Sequence, residues 1–155
     1  MKLLFVCSGN TCRSPLAEAI ARQQAVERGL DLDVSSAGTS TWDGAPASDG
    51  ALLVGMEHRA DLGDHRSRQL TREMVEESDL VLVMGPHHLE RVEALGGRGK
   101  AHLLTDYASR GGAVSAVSDP FGGDLETYRA TYDELAAAIR QVLDRVEAER
   151  PGQAS

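Results

Sequence analysis

The feature that most constrains this chain is the polar stretch Cys7-Ser8-Gly9-Asn10-Thr11-Cys12-Arg13-Ser14-Pro15, set between an apolar run and a helical one. Leu3-Leu4-Phe5-Val6 precedes it directly, and residues 2–6 read as a continuous strand buried on both faces, as in a parallel sheet. Pro15 opens a helix predicted over residues 15–28, which Gly29 caps. A strand, a tight polar loop and a helix N-terminus in this order bring backbone N–H groups and the positive helix end to one point, an anion site. Cys7 stands at the strand's end, where that field favours thiolate over thiol. Arg13, at a Cys-x5-Arg spacing, offers a planar fork that matches two phosphate oxygens. A sulfur nucleophile inside a phosphate cradle points to phosphoryl transfer through a cysteine intermediate. The spacing alone more often describes a buried structural cysteine near an arginine. The preceding strand, Ser14 and Pro15 supply the context that gives the motif weight. No Gly-Lys-Ser/Thr follows, so the loop is not a Walker A motif.

At 155 residues the chain fits one domain, expected over 1–150, with 151–155 a disordered tail. A net charge of −8 argues against a nucleic-acid partner, which needs a basic face. Anion attraction must therefore be local, supplied by Arg13, amides and a helix end. Two cysteines are no disulfide framework, and the five histidines show no ligand spacing with them, so no zinc site is expected. His87 and His88 are adjacent, would diverge on a helix, and are read as solvated. The apolar start, residues 1–6, is far too short for a signal sequence. No run approaches the roughly 18 apolar residues of a membrane span, so a cytoplasmic protein without a membrane partner is expected, as a monomer or weak dimer.

Further along, a second strand is predicted at 31–35 and a loop at 38–47. Trp42, in that loop, is either a packing residue or a wall of the binding pocket. A helix is predicted at 47–58 with Leu52, Leu53 and Met56 inward, then a solvated polar connector at 64–70. A short helix capped by Thr71 is expected at 71–77, a buried strand at 79–84, a helix from Pro86 to the Gly96-Gly97 break, and a fourth strand at 101–104. Residues 107–118 read as irregular, and Asp119-Pro120-Phe121-Gly122-Gly123 as a turn. Tyr128, Tyr132, Leu135, Ile139, Val142, Leu143 and Val146 then recur at helical spacing. Strands alternating with helices imply a small doubly wound α/β domain with its site at the carboxyl ends of the strands.

Four motifs together make the chain resemble the low-molecular-weight protein tyrosine phosphatases over nearly its whole length. They are Cys7-x-Gly9-Asn10-x-Cys12-Arg13-Ser14-Pro15, Ser36-Ala37-Gly38-Thr39, His65-x-Ser67-Arg68 and Asp119-Pro120-Phe121-Gly122. The resemblance implies a four-stranded parallel sheet flanked by helices, phosphorylated proteins as substrates, and no metal or organic cofactor. It also implies roles. Cys7 would be the nucleophile, and Arg13 with the amides of Ser8, Gly9, Asn10, Thr11, Cys12 and Arg13 would hold the phosphoryl oxygens. Ser14 would stabilise the thiolate, and Asp119 would be general acid and then base. Asn10, Ser36 and His65 would hold the loop in shape.

Thr11 departs from the larger aliphatic residue usual at this loop position in tyrosine phosphatases. With Phe121 and Gly122-Gly123 after Asp119-Pro120, it resembles the protein arginine phosphatase branch. A hydroxyl at the pocket mouth suits a polar, planar guanidinium leaving group, whereas a phenol prefers an apolar wall. Phosphoarginine is thus the favoured substrate and phosphotyrosine the alternative, with Thr11, Trp42 and Phe121 as specificity residues. Cys12 is either a redox partner that captures oxidised Cys7 as a disulfide or a small buried hydrophobe. An arsenate reductase would call for further redox cysteines, and none follows Cys12. A non-catalytic phosphoprotein-binding module is disfavoured by the presence of Cys7, Arg13 and Asp119 together.

Overall fold

A computed structural model describes residues 1–112 and 116–149. The elements run β1 (Lys2–Cys7), α1 (Arg13–Arg28), β2 (Asp33–Gly38), α2 (Asp49–Glu57), α3 (Arg72–Glu77), β3 (Leu80–Val83), α4 (Pro86–Val92), β4 (Ala101–Leu103), α5 (Leu104–Ser109) and α6 (Leu125–Glu149). A π-helical turn, Glu93–Gly97, extends α4. The strands form one parallel sheet in the order β2-β1-β3-β4. The order reverses between β1 and β3, so the crevice at a doubly wound sheet's switch point opens at the carboxyl end of β1. Cys7 is the last residue of that strand.

Strand alternation divides the core between the two faces of the sheet. Leu3, Phe5, Cys7, Leu80 and Leu82 pack with residues of α1, α2, α5 and α6, whereas Leu4, Val6, Val81 and Val83 pack with residues of α3 and α4. On α6 the expected inward set, from Tyr128 to Val146, is buried in full. Each such aliphatic contributes about 1.5–3 kcal/mol by leaving water.

The boundaries differ from the sequence expectation where local chemistry decides them. Helix α1 begins two residues early, at Arg13, with Pro15 within its first turn, where a missing N–H costs nothing. Gly29 caps it at φ 67°, and Leu30 N–H reaches back to Ala25 O. Strand β2 lies at 33–38 rather than 31–35, because Ser36, Ala37 and Gly38 continue in register beside Phe5, Val6 and Cys7. Gly38 is required there, since a Cβ would stand 2.5 Å from Ser8 O. In α2 the inward face is Ala51, Val54 and Gly55. Leu53 and Met56 are exposed, contrary to expectation, and Leu52 is half-buried: the small residues let α2 approach its neighbours closely. Residues 104–109, which span the start of a segment read as irregular, form α5, with Leu104, Tyr107 and Ala108 buried. The connector 64–70 is not merely solvated. Arg68 O and Leu70 N–H bond Gly38 on either side, and Ser67 is buried. The tail expected at 151–155 lies outside the described residues, and among those residues no helix is long and apolar enough to cross a membrane.

Candidate active site

The loop between β1 and α1 turns its carbonyls outward into the protein. Cys7 O, Ser8 O and Thr11 O accept from Thr39, Ser40 and Ser48 N–H at 2.9, 3.0 and 2.9 Å, and Asn10 O accepts from His65 Nε2 at 2.6 Å. In a trans peptide the next N–H points opposite to its carbonyl. The amides of Ser8, Gly9, Thr11 and Cys12 are therefore directed to the other, concave side of the loop. A cavity of about 260 Å3 lies there, lined among others by Cys7, Ser8, Thr11, Arg13, Asp119 and Phe121.

Asn10 fixes the loop. It is fully buried and left-handed at φ 55°, a conformation asparagine tolerates better than most residues. Arg68 N–H donates to its Oδ1 at 2.9 Å, which settles the amide's orientation. Its Nδ2 then donates to Ser14 Oγ at 2.7 Å and to Ser36 Oγ at 2.9 Å. Ser36 Oγ in turn donates a hydrogen bond to Glu18 Oε1 at 2.6 Å. Ser14 Oγ, already an acceptor, has its proton free for Cys7 Sγ 2.9 Å away. Donors thus run from Asn10 through Ser14 onto the sulfur.

Arg13 is buried, and Nη1 donates to Val117 O at 3.1 Å while Nη2 lies 3.6 Å from Asp119 Oδ2. Asp119 itself is exposed, and its Oδ1 accepts from Phe121 N–H at 3.0 Å. Glu134, on α6, accepts from the backbone of Ser118, and burial pushes its carboxyl above the usual range. Phe121 is 74% and Trp42 85% exposed, so neither is a packing residue, and Trp42 is not among the residues lining the cavity. Cys12 is buried, with Ser48 Oγ and Tyr128 Oη each 3.4 Å from its sulfur. Burial, and then the contact with Cys12, push the Tyr128 hydroxyl up to about 12.

The expected residues Cys7, Asn10, Ser14, Ser36 and His65 are joined by one hydrogen-bond network, and Arg13 and Asp119 meet beside it. Three participants went unassigned at the sequence level. Glu18 and Arg68 complete the network around Asn10 and Ser36. Arg68 stands in the quoted His65-x-Ser67-Arg68 motif, which was its signal. The third is His88, expected to be solvated. It is completely buried, with Nε2 2.8 Å from Ser8 Oγ, while its neighbour His87 is exposed. Burial, with help from His87 and Arg13, lowers its pKa to about 4. Among the described residues no group of His, Cys, Asp or Glu could hold a metal ion.

A parallel α/β sheet whose first strand delivers a cysteine into an arginine-bearing anion loop, with a carboxylate across the cavity, defines a phosphate-handling hydrolase. The chain belongs to the low molecular weight phosphotyrosine protein phosphatase family, whose model matches residues 2–152. It is 38% identical over 152 residues to a protein-arginine-phosphatase of Bacillus subtilis (strain 168), covering 97% of this chain and 99% of that one. It is also 38% identical over 140 residues to the low molecular weight protein-tyrosine-phosphatase PtpB of Staphylococcus haemolyticus, covering 90% and 95%. Among solved structures it is similar to YwlE arginine phosphatase, a C7S mutant with a phosphorylated active-site serine, at TM-score 0.91 and 37% identity over 97% of this chain and 98% of that one.

Proposed function

We propose that this protein phosphatase hydrolyses phosphoarginine in proteins through a phosphocysteine at Cys7. The Cys7 thiolate attacks phosphorus, a P–S bond forms and the P–N bond breaks, its electron pair staying with nitrogen. Asp119, as the acid, gives that nitrogen a proton. Arg13 and the inward amides neutralise the charge on the equatorial oxygens. Asp119, now a carboxylate, takes a proton from water as the water attacks the phosphocysteine, releasing inorganic phosphate and restoring the thiolate. Ser14, held by Asn10, stabilises the sulfur as nucleophile and as leaving group, while Ser36 and His65 keep Asn10 in place.

The observation that carries the substrate assignment is that Thr11, a half-buried hydroxyl-bearing residue, lines the cavity. The protein-arginine-phosphatase name of the Bacillus subtilis relative supports it. One observation favours phosphotyrosine instead: a tyrosine-phosphatase relative is equally identical. A turnover panel decides between them. Wild type is expected to cleave phosphoarginine in proteins much faster than phosphotyrosine peptides, and Thr11→Ile to reverse the order. Equal or better phosphotyrosine turnover by wild type selects the second reading.

Cys12 is read as the redox partner of the nucleophile. Peroxide oxidises Cys7 to the sulfenic acid, and the Cys12 thiol condenses with it, releasing water and forming a disulfide that a thiol reduces. Mild peroxide should then give an intramolecular bridge and reversible inactivation. Irreversible loss without a bridge would make Cys12 a packing residue. The substrates are phosphorylated proteins met in the cytoplasm.

A further inference from the structure

His88 has no part in the scheme above and stands outside the family motifs, yet it is fully buried and touches the nucleophile's loop. Helix α4 begins with Pro86 after Gly85 and sets His88 behind the start of the loop, fully shielded from solvent. Its Nε2 lies 2.8 Å from Ser8 Oγ, while Nδ1 is buried and finds no partner among the described residues. These two facts fix the tautomer. With the proton on Nδ1, a donor would be buried unpaired, the rarer and costlier defect. With the proton on Nε2, only a bare acceptor is left unpaired, so Nε2–H donates to Ser8. Ser8 Oγ is then an acceptor towards His88 and its own proton must point elsewhere. Ser8 is half-buried and lines the cavity with Cys7, Arg13 and Asp119. The direction left open to the proton is the cavity.

We propose that His88 is a positioning residue for hydrolysis: by donating to Ser8 Oγ it turns the Ser8 hydroxyl into the cavity, where the hydroxyl donates a hydrogen bond to the bound phosphoryl group. Ser8 thus contributes a side-chain donor in addition to its amide. The inference rests on the reading of the Cys7 loop as the phosphoryl site.

The test uses an aryl phosphate, so that the choice between arginine and tyrosine does not enter. Ser8→Ala should lower kcat/KM about tenfold, the scale of one hydrogen bond to a charged group. His88→Met should lower it similarly, and the double variant should be no worse than Ser8→Ala alone, because both changes remove one interaction. His88→Gln, which places an amide N–H near the Nε2 position, should restore most of the loss, whereas a merely structural histidine would not be rescued in turnover. Because His88 is buried and the Met variant could fail to fold, 15N NMR of the wild type provides an independent reading. A His88 signal of the Nε2–H tautomer is expected. An Nδ1–H tautomer, or multiplying losses in the double variant, overturns the proposal. Cys7→Ser serves as control. If it retains turnover, the phosphocysteine reading fails; if it is dead while Ser8→Ala is unaffected, only the role of Ser8 and His88 fails.

Discussion

The two sides of the cavity are built on opposite plans. On one side, Asn10 is anchored through its carbonyl, its Oδ1 and both its Nδ2 bonds, and is fully buried. On the other, Asp119 and Phe121 are exposed, and the segment is tied through Val117, to Met84 O and Arg13, and through the Glu134 contact with Ser118. A phosphoryl cradle must present fixed dipoles at the moment of reaction, since donors that first have to reorganise stabilise the transition state less. A proton donor must serve a leaving group and then a water, so exposure and few ties suit it. On the proposed function, the densely bonded side is the one that holds charge and the exposed side the one that moves protons.

Substitutions can break or sharpen that contrast. The largest effect is expected for Asp119→Asn, which should lower turnover of poor leaving groups by about 10²–10⁴-fold with little change in melting temperature. A large loss of stability would mean that the acid loop is structural after all. Asn10→Ala should cost about 3 kcal/mol of stability, since it strands the partners of a buried amide and places alanine at positive φ. Asn10→Gly, measured by urea unfolding, should recover roughly 1 kcal/mol of that, because only the backbone strain is relieved.

A pH dependence follows from the stiff side. His88 is held at about 4, below its ordinary 6.5, so the unfolded chain binds more protons between these values. Stability should therefore fall as pH drops from about 6.5 towards 4, by about 3 kcal/mol from this group at the lower end. The Tm of His88→Met should be flatter over that window, and parallel curves would show that His88 is not the origin. The smallest effect is expected for Phe121→Ala: within about 0.5 kcal/mol in stability, but a raised KM for aryl phosphates if the ring meets substrate.

The sheet, the loop and α6 were legible because each has a strong local signature: an unbroken apolar run, a dense polar motif, a sustained helical period. The misread parts depend on partners distant in sequence. His88 looked solvated beside His87, because adjacency cannot reveal which of two histidines faces Ser8, 80 positions away. Hydrophobicity alone puts Leu53 and Met56 inward, but α2 buries Ala51, Val54 and Gly55 instead. Connector 64–70 read as polar surface because its attachment to Gly38 runs through backbone atoms that no side-chain pattern encodes.

The central claim is that the cradled sulfur of Cys7 carries the phosphoryl group between substrate and water. Rapid acid quench of the enzyme with 32P-labelled substrate, followed by peptide mapping, tests it directly. Label on the peptide containing Cys7, lost again on chase, is the predicted result, and Asp119→Asn should change how much accumulates. Full-rate release of labelled phosphate with no labelled peptide, or with undiminished turnover by Cys7→Ser, would contradict it.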